Sequence, residues 1–307
     1  MKKIKIKKKA KIAIFYRSNT PIAKKSSQQL ALWLLKHDYQ PVTGPDQNPL
    51  KGIPQIQNTN QIKSIELVIV LGGDGTYLRA NRLLNGLPIP ILGVNLGSLG
   101  FLTPLKQNQL YLALPHILRG ENFELVPRMQ MNVSLYLDKS AKTPLFTALS
   151  LNDVVIERGQ SSHLIDLQLN VNKKNLNNKI TQVSSIVSSI KADGLVIATP
   201  TGSTAYNLAA GGPILNPETP CIVASSVAPH SLTNRPLIFP DTQVLEIQLQ
   251  RQCEIAHLVI DGQKCSELIK GQVLRVSKHH QPHWMVQSSG HNFYELLREK
   301  LSFGERA

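Results

Sequence analysis

The chain has 307 residues, 42% of them hydrophobic, with 34 Lys and Arg against 20 Asp and Glu for a net charge of +14. That length exceeds most single cores and that apolar content fills two, which excludes a disordered chain and points to two domains. The basic excess admits nucleic acid, a membrane surface or phosphorylated small molecules as partners, whereas three cysteines (Cys221, Cys253, Cys265), with no CxxC or metal-ligand spacing, argue by their odd count against a disulfide framework and suggest a reducing, cytoplasmic setting.

Seven lysines fall within MKKIKIKKKAK (residues 1–11), expected to be a solvated tail running into a first strand, KIAIFY (11–16). That apolar run is too short for a secretory h-region and is followed at once by Arg17. A helical pattern follows in SSQQLALWLLKH (26–37), then a strand in IELVIVL (65–71), a helix in YLRANRLL (77–84) and a strand in IPILGVN (89–95). Continuous apolar strands separated by helices predict a parallel sheet covered on both faces. The uncharged stretch 83–105 is long enough to span a membrane, but it carries Pro88, Pro90, Pro104 and several glycines. It is therefore expected to be buried or to line a site rather than to span.

From about residue 122 the period changes to two: MNVSLYLD (131–138), TALSLNDVVIE (147–157), HLIDLQLNV (163–171), VLEIQLQ (244–250), AHLVIDG (256–262) and QVLRVS (272–277). Alternating strands without intervening helices predict an antiparallel sandwich or barrel. The final element, NFYELLREKL (292–301), has Phe293, Leu296, Leu297 and Leu301 on one helical face and Asn292 and Glu295 spaced as a capping box. The expected organisation is an α/β domain over 1–122, rejoined by helix 292–307, and a β-rich domain over 123–291.

Three short stretches carry the chemistry. Gly72-Gly73-Asp74-Gly75-Thr76 connects a buried strand to a helix, the turn at the carboxyl end of a parallel sheet where phosphorylated ligands bind. The chain has no GxxxxGK[ST], and GGDGTY lacks the GxGxxG spacing of a dinucleotide fold. An acid facing a polyphosphate implies an intervening Mg²⁺ or a proton taken from an attacking hydroxyl, both of which belong to phosphoryl transfer. The same residues also fit a tight turn whose Asp caps the next helix. KADGLVIATPTGSTAYNLAAGGPI (191–214) packs Thr199, Thr201, Ser203 and Thr204 beside Gly202, Gly211 and Gly212, a density of small hydroxyls suited to hydrogen-bonding a ligand or to a small-residue turn. LNDVVIE (151–157) sets Asn152 beside Asp153 in an otherwise apolar strand, which points one of them inward at a cost.

GGDGT with NLGSLGFLT, LND, ADG, TPTGSTAYNLAAGGPI and DGQ (261–263), in this order, resembles the NAD kinase family. The resemblance runs from about residue 65 to the closing helix. It implies an α/β N-terminal domain similar to phosphofructokinase and diacylglycerol kinase, a β-rich, β-sandwich-like C-terminal domain, and transfer of the ATP γ-phosphate to the 2′-hydroxyl of the adenosine ribose of NAD. It implies that Asp74 is the general base within the phosphate-donor loop Gly72, Gly73, Asp74, Gly75 and Thr76, with Gly75 also touching NAD. Arg79 matches a basic position able to reach a phosphate, or is an ordinary helix Arg. Asn152 and Asp153 match a pair that holds ribose hydroxyls, often Asn-Glu in relatives. His163 matches a ligand-contacting His of some bacterial relatives, or is a structural strand residue. Asp193 matches an NAD contact and Lys191 one made from a partner subunit; Thr201, Thr204, Ala205, Tyr206, Asn207, Leu208, Ala209 and Gln263 match further NAD contacts. Mg²⁺ is implied with ATP rather than as a fixed protein-bound ion, and the partners implied are NAD, ATP and a second copy in a homodimer or homotetramer, without membrane or specific nucleic acid. Two other readings fit part of the pattern. A diacylglycerol- or sphingosine-type lipid kinase shares GGDGT but lacks TPTGSTAYN. A non-catalytic NAD-sensing or nucleic-acid-binding protein fits the charge but not the low aromatic content of 5%.

Overall fold

The computed structural model describes residues 5–97, 99–159, 163–173, 185–250 and 255–302. They form two compact units, one of residues 1–127 and 283–307 and one of residues 128–282.

The first unit is built on a sheet of seven described strands: β1 (Lys11–Tyr16), β2 (Gln40–Thr43), β3 (Ile65–Leu71), β4 (Ile91–Asn95), β5 (Leu105–Lys106), β6 (Phe123–Arg128) and, from the far end of the chain, β19 (His283–Ser288). Their order is β2-β1-β3-β4-β19-β6, with β5 also paired to β4. Every pairing among β1 to β5 is parallel, and so is that of β19 with β4. Ile12, Ile14, Leu67, Ile69, Leu92 and Val94 pack with Leu30 and Leu34 of α1 (Pro21–Lys36) and with Leu114 and Ile117 of α4 (Leu110–Arg119). The alternate residues Ala13, Phe15, Val68 and Val70 are buried too. Helix α3 (Asp74–Leu84) packs against β1, β3 and β4 through buried Tyr77, Ala80 and Leu84, and a one-turn α2 (Thr59–Ile62) precedes β3. Burial on both faces is why these strands read as unbroken apolar runs.

The lysine-rich start departs from the expected tail. Residues 1–4 lie outside the described residues, but Ile6 and Ala10 are buried and the Ile6 N–H donates to the Leu118 carbonyl at 3.0 Å. Alternating Lys and Ile lets the apolar residue turn inward while its neighbours stay in water.

The second unit stacks two antiparallel six-stranded sheets. One runs β11-β10-β15-β18-β7-β8 and the other β14-β13-β12-β9-β16-β17. Their ranges are β7 (Met131–Tyr136), β8 (Phe146–Ser150), β9 (Asp153–Glu157), β10 (Ile165–Lys173), β11 (Ser185–Ala192), β12 (Gly194–Ala198), β13 (Cys221–Val227), β14 (Leu237–Pro240), β15 (Gln243–Leu249), β16 (Ile255–Ile260), β17 (Gln263–Ile269) and β18 (Val273–Lys278). Alternate residues of both sheets, among them Val133, Leu167, Ile247 and Val276 from one and Val154, Ile156, Ile197 and Leu258 from the other, form a single core. This is the expected sandwich. The second sheet is buried on its outer face as well: Val155, Val196, Ala198 and Val223 pack with Leu215 and Ala210 of the segment after β12. The TPTGSTAYNLAAGGPI segment therefore lies over this sheet.

Two expected strands are revised. TALSLNDVVIE is not one strand but β8 and β9, broken at Leu151 and Asn152, and β10 starts at Ile165, leaving His163 in an exposed bend. Among the cysteines, Cys221 is buried and Cys265 exposed, both free thiols, while Cys253 lies outside the described residues. Strands β6 and β19, on the β-rich side of the expected boundaries, take part in the first unit's sheet. Helix α6 (Phe293–Leu301) groups with that unit: Leu296 and Leu297 are buried, Glu299 lies 3.3 Å from Lys106, and Leu301 stays exposed. Its cap is Asn292, which accepts the Tyr294 N–H at 2.9 Å and donates to the Glu295 side chain at 3.4 Å.

Candidate active site

The candidate residues fall into two groups, one in each unit. In the first, β3 ends at Leu71, the chain turns through Gly72 and Gly73, and α3 starts at Asp74. A Cβ on Gly72 would lie 2.5 Å from Thr76 Oγ1, so this turn closes only around glycine. A Cβ on Gly73 or Gly75 would meet no atom within 4 Å, so both face open space.

Asp74 does not cap its own helix, whose N-cap is Gly73. The carboxylate reaches instead to the segment after β4. Its Oδ2 accepts the Phe101 N–H at 3.0 Å, and its Oδ1 accepts the Leu102 N–H at 3.0 Å and the Thr103 hydroxyl at 3.3 Å. Asn95 steadies that segment, donating to Thr103 Oγ1 at 3.0 Å and accepting the Gly97 N–H at 2.6 Å. Two glycines make the approach possible: a Cβ on Gly93 would sit 2.1 Å from the Leu102 carbonyl oxygen, and one on Gly100 would sit 2.1 Å from Asp74 Oδ1. Much of the uncharged stretch is thus buried, and its end wraps the Asp74 carboxylate; Ser98 of NLGSLGFLT lies outside the described residues. Arg79, five residues further along α3, donates to Ser18 Oγ (2.9 Å) and to the Tyr16 carbonyl (3.2 Å), with Nε 3.4 Å from Asp46.

In the second unit the centre is the break between β8 and β9. Asp261 and Gly262 form the turn between β16 and β17, with φ of 46° and 76°. Asp261 Oδ1 accepts the Ser150 hydroxyl (2.8 Å), the Asn152 N–H (2.8 Å) and the Asp153 N–H (3.2 Å), while Oδ2 accepts the Leu151 N–H (2.9 Å). From the other side the Thr199 N–H donates to the Asn152 carbonyl at 2.9 Å, and the Thr199 hydroxyl donates to the Leu151 carbonyl at 2.6 Å. Gly202 fits against this turn only without a side chain, since its Cβ would lie 2.1 Å from the Asn152 carbonyl oxygen.

The side chains so placed have unmet polar capacity. Asn152 Oδ1 and Thr201 Oγ1 are buried and have no hydrogen-bond partner within the protein. Six other buried side-chain atoms among the described residues also lack a hydrogen-bond partner; what singles out these two is their place in the LND and TPTGSTAYN stretches, where a ligand or water can pair them. Asp153 is buried; desolvation first, and then the Asp261 carboxylate, push its pKa up to about 7, against a backbone hydrogen bond from Tyr206. Asn207 behaves differently. Its amide donates to the Ser203 and Pro213 carbonyls at 3.1 Å each, its Oδ1 accepts the Ser225 hydroxyl at 2.7 Å, and a Cβ on Gly212 would lie 2.1 Å from that oxygen. This side chain holds the loop. Thr204 donates back to the Thr201 carbonyl at 3.4 Å, Ala205 leads into the four-residue α5 (Tyr206–Ala209), and Tyr206 and Ala209 are exposed with Leu208 half-buried between them. Gln263 is exposed at the start of β17.

The structure thus brings together Asn152, Asp153, Thr201 and the Tyr206 backbone. Lys191 is directed to Asp166 at 3.8 Å and Asp193 to Arg158 at 3.1 Å. Sequence reasoning picks out Thr199 as a candidate ligand-binding hydroxyl and Asp261 only as part of DGQ, but misses that Thr199 and Asp261 brace the Leu151–Asp153 turn, and misses the N–H groups of Phe101 and Leu102 that aim Asp74. Asp-Gly is a common hairpin turn pair, which hid the reach of the Asp261 carboxylate.

A family model of the ATP-NAD kinase N-terminal domain matches residues 45–122, and one of the ATP-NAD kinase C-terminal domain matches residues 151–288. The NAD kinase of Bdellovibrio bacteriovorus is 43% identical over 304 residues, 99% of this chain and 95% of that protein. The chain belongs to the NAD kinase family. The NAD kinase of Geotalea daltonii is 37% identical over 297 residues, covering 96% of this chain and 99% of its own length. Two solved structures share the NAD kinase fold with it: a yeast NADH kinase complexed with NADH (TM-score 0.85, 23% identity, 97% of this chain and 89% of that one) and an NAD kinase from Archaeoglobus fulgidus in complex with ATP (TM-score 0.70, 22% identity, 96% and 100%).

Proposed function

We propose that the chain makes NADP by moving the γ-phosphoryl group of ATP onto the 2′-hydroxyl of the adenosine ribose of NAD, with Asp74 as the base. Membership of the NAD kinase family makes it a phosphotransferase with an alcohol acceptor. The observation that carries the assignment is the carboxylate of Asp74, aimed by two backbone N–H groups and set between glycines that face open space.

Asp74 orients the hydroxyl and takes its proton as the oxygen attacks the γ-phosphorus; the bond to the β–γ bridging oxygen breaks and ADP leaves. Such transfer depends on positioning and charge neutralisation more than on covalent help from the protein. The first unit acts as the phosphate-handling part, with Gly72, Gly73, Gly75 and Thr76 around the donor; Arg79, held by Ser18, the Tyr16 carbonyl and Asp46, must leave those partners to meet a phosphate. The second unit acts as the dinucleotide-binding part. Asn152, Asp153 and Thr201 hold the NAD ribose and its surroundings, supported by the two buried oxygens that lack a protein partner. Asp193, His163, Thr204, Ala205, Tyr206, Asn207, Leu208, Ala209 and Gln263 complete that surface, Asn207 by fixing the loop.

Among the described residues no three His, Cys, Asp or Glu side chains converge as metal ligands. The single carboxylate of Asp74 beside two open glycines fits a Mg²⁺ that arrives with ATP. Such an ion neutralises phosphate charge. No helix among the described residues is long and apolar enough to cross a membrane. We further place the protein in the cytoplasm as a homodimer or homotetramer, in which the half-exposed ammonium of Lys191 reaches NAD on a second copy; analytical ultracentrifugation reads the assembly.

The test of the reaction is incubation of the purified chain with Mg-ATP and NAD, scored with an NADP-specific dehydrogenase. NADP formation is expected. Transfer to diacylglycerol or sphingosine but not to NAD overturns the proposal.

A further inference from the structure

We propose that Asp261 is a positioning residue for the dinucleotide: its carboxylate holds the Leu151–Asp153 turn in the one shape that presents Asn152 and Asp153 to the ribose. The inference rests on the reading of that pair as ribose-holding.

Three successive backbone N–H groups and one hydroxyl converge on the two oxygens of this buried side chain, at 2.8 to 3.2 Å. A β-strand cannot offer three consecutive N–H groups to one acceptor, because its alternate groups point to opposite sides. The carboxylate thus braces the turn at which the chain leaves β8 in one sheet for β9 in the other, and that turn holds Asn152 outside both ladders. The hairpin in which Asp261 sits does not need the charge. Positive φ at both Asp261 and Gly262 is met equally by Asn-Gly, which forms the same turn. What Asn cannot supply is acceptor capacity, since one of the two oxygens becomes an NH₂ facing an N–H. The opposite side of the turn is fixed independently by Thr199 and by the close approach of Gly202, so loss of the Asp261 bonds leaves Asn152 attached but no longer aimed. Asn152 Oδ1, buried and unpaired, is the atom that this aiming serves.

Asp261→Asn, Ser150→Ala and Asn152→Ala, each in the full chain, separate the possibilities. Steady-state KM for NAD and for ATP, NAD binding by calorimetry, and circular dichroism are read for each. Asp261→Asn is expected to raise KM and Kd for NAD about tenfold or more, in line with the loss of a hydrogen bond at a supporting residue, while KM for ATP moves less than about twofold. Ser150→Ala, which removes one donor from the same carboxylate, gives a smaller loss in the same direction and keeps the test open if Asp261→Asn does not fold. If Asn152→Ala weakens NAD binding and the two supporting variants do not, Asp261 is only a turn residue and the inference fails while the ribose reading stands. If Asn152→Ala binds NAD as the parent does, the ribose reading falls and the inference with it.

Discussion

Asp74 Oδ1 accepts the backbone N–H of Leu102 at 3.0 Å, so the carboxylate that opens α3 is aimed by a loop 28 residues further along the chain. An acid free to cap its own helix would point back at its own amides; this one points across the turn. Asp74→Asn keeps the side-chain outline, removes the proton acceptor and turns one NH₂ towards the Phe101 or Leu102 N–H, so it is read beside Gly100→Ala, which disturbs the aiming alone. We expect a chain that folds as the parent does, with kcat lowered by about 10²- to 10⁴-fold, the usual contribution of a general base. Near-parental kcat with unchanged circular dichroism would sink the assignment.

Gly100 tests the aiming without touching the acid. Its absent Cβ leaves room that Asp74 Oδ1 and Thr103 Oγ1 occupy, at 2.1 and 2.4 Å from where that atom would be. Gly100→Ala pushes the carboxylate off its amides. Displacement of a reacting group by about 1 Å costs about 10²-fold, so a loss of that order in kcat is expected, with NAD affinity unchanged by calorimetry.

Thr201→Val replaces a buried hydroxyl that has no protein partner by an isosteric methyl. Removal of an unpaired buried polar atom is neutral or stabilising for the free protein. The thermal midpoint should hold or rise, while NAD affinity falls by about tenfold, the worth of one hydrogen bond to a ligand. A variant that binds NAD normally would show that this oxygen faces no substrate.

Asp153 supplies a pH signature. Its pKa is raised from 3.8 to about 7, by burial and then by Asp261, so the folded chain holds this proton more tightly than the unfolded one. The stability this contributes is present below pH 3.8 and is lost as pH rises through about 7. Asp153→Asn, which carries no charge, should therefore melt above the parent near pH 8, and the gap should narrow towards pH 5. Binding runs the other way. The ionised carboxylate accepts ribose hydroxyls, so kcat/KM for NAD should climb through neutrality in the parent and lose that limb in Asp153→Asn. A parallel pair of melting curves across this range would contradict the buried, like-charged environment.

How far the residues alone disclose these arrangements depends on how local the cause is. Strands β1 and β3 sit where their apolar runs predict, because burial on both faces writes itself directly into consecutive residues. Helix α4 is harder to see, since Pro115 lies in its interior and argues against a helix. The break at Asn152 is invisible locally. The turn there is held by a carboxylate 109 residues away, and the apolar alternation runs through it undisturbed. The same holds for Asp74: GGDGT marks a turn with an acid, but only the return of Phe101 and Leu102 shows that the carboxylate is turned away from its own helix. Asn207 illustrates the converse, a residue within a ligand-like motif whose side chain is spent entirely on the fold.

Strand β19 enters the first sheet between β4 and β6, yet 155 residues separate it from Pro127, so it is made only after the whole of the second unit has been synthesised. Until then β4 has an open edge along Ile91 and Leu92, and the buried hydroxyl of Tyr77 lacks the His283 ring that it meets at 2.6 Å. A nascent or truncated chain that stops short of His283 carries an unpaired, apolar parallel edge, the kind of surface on which chains associate. The order of synthesis thus leaves the first unit's sheet to be closed by a strand made after the second unit.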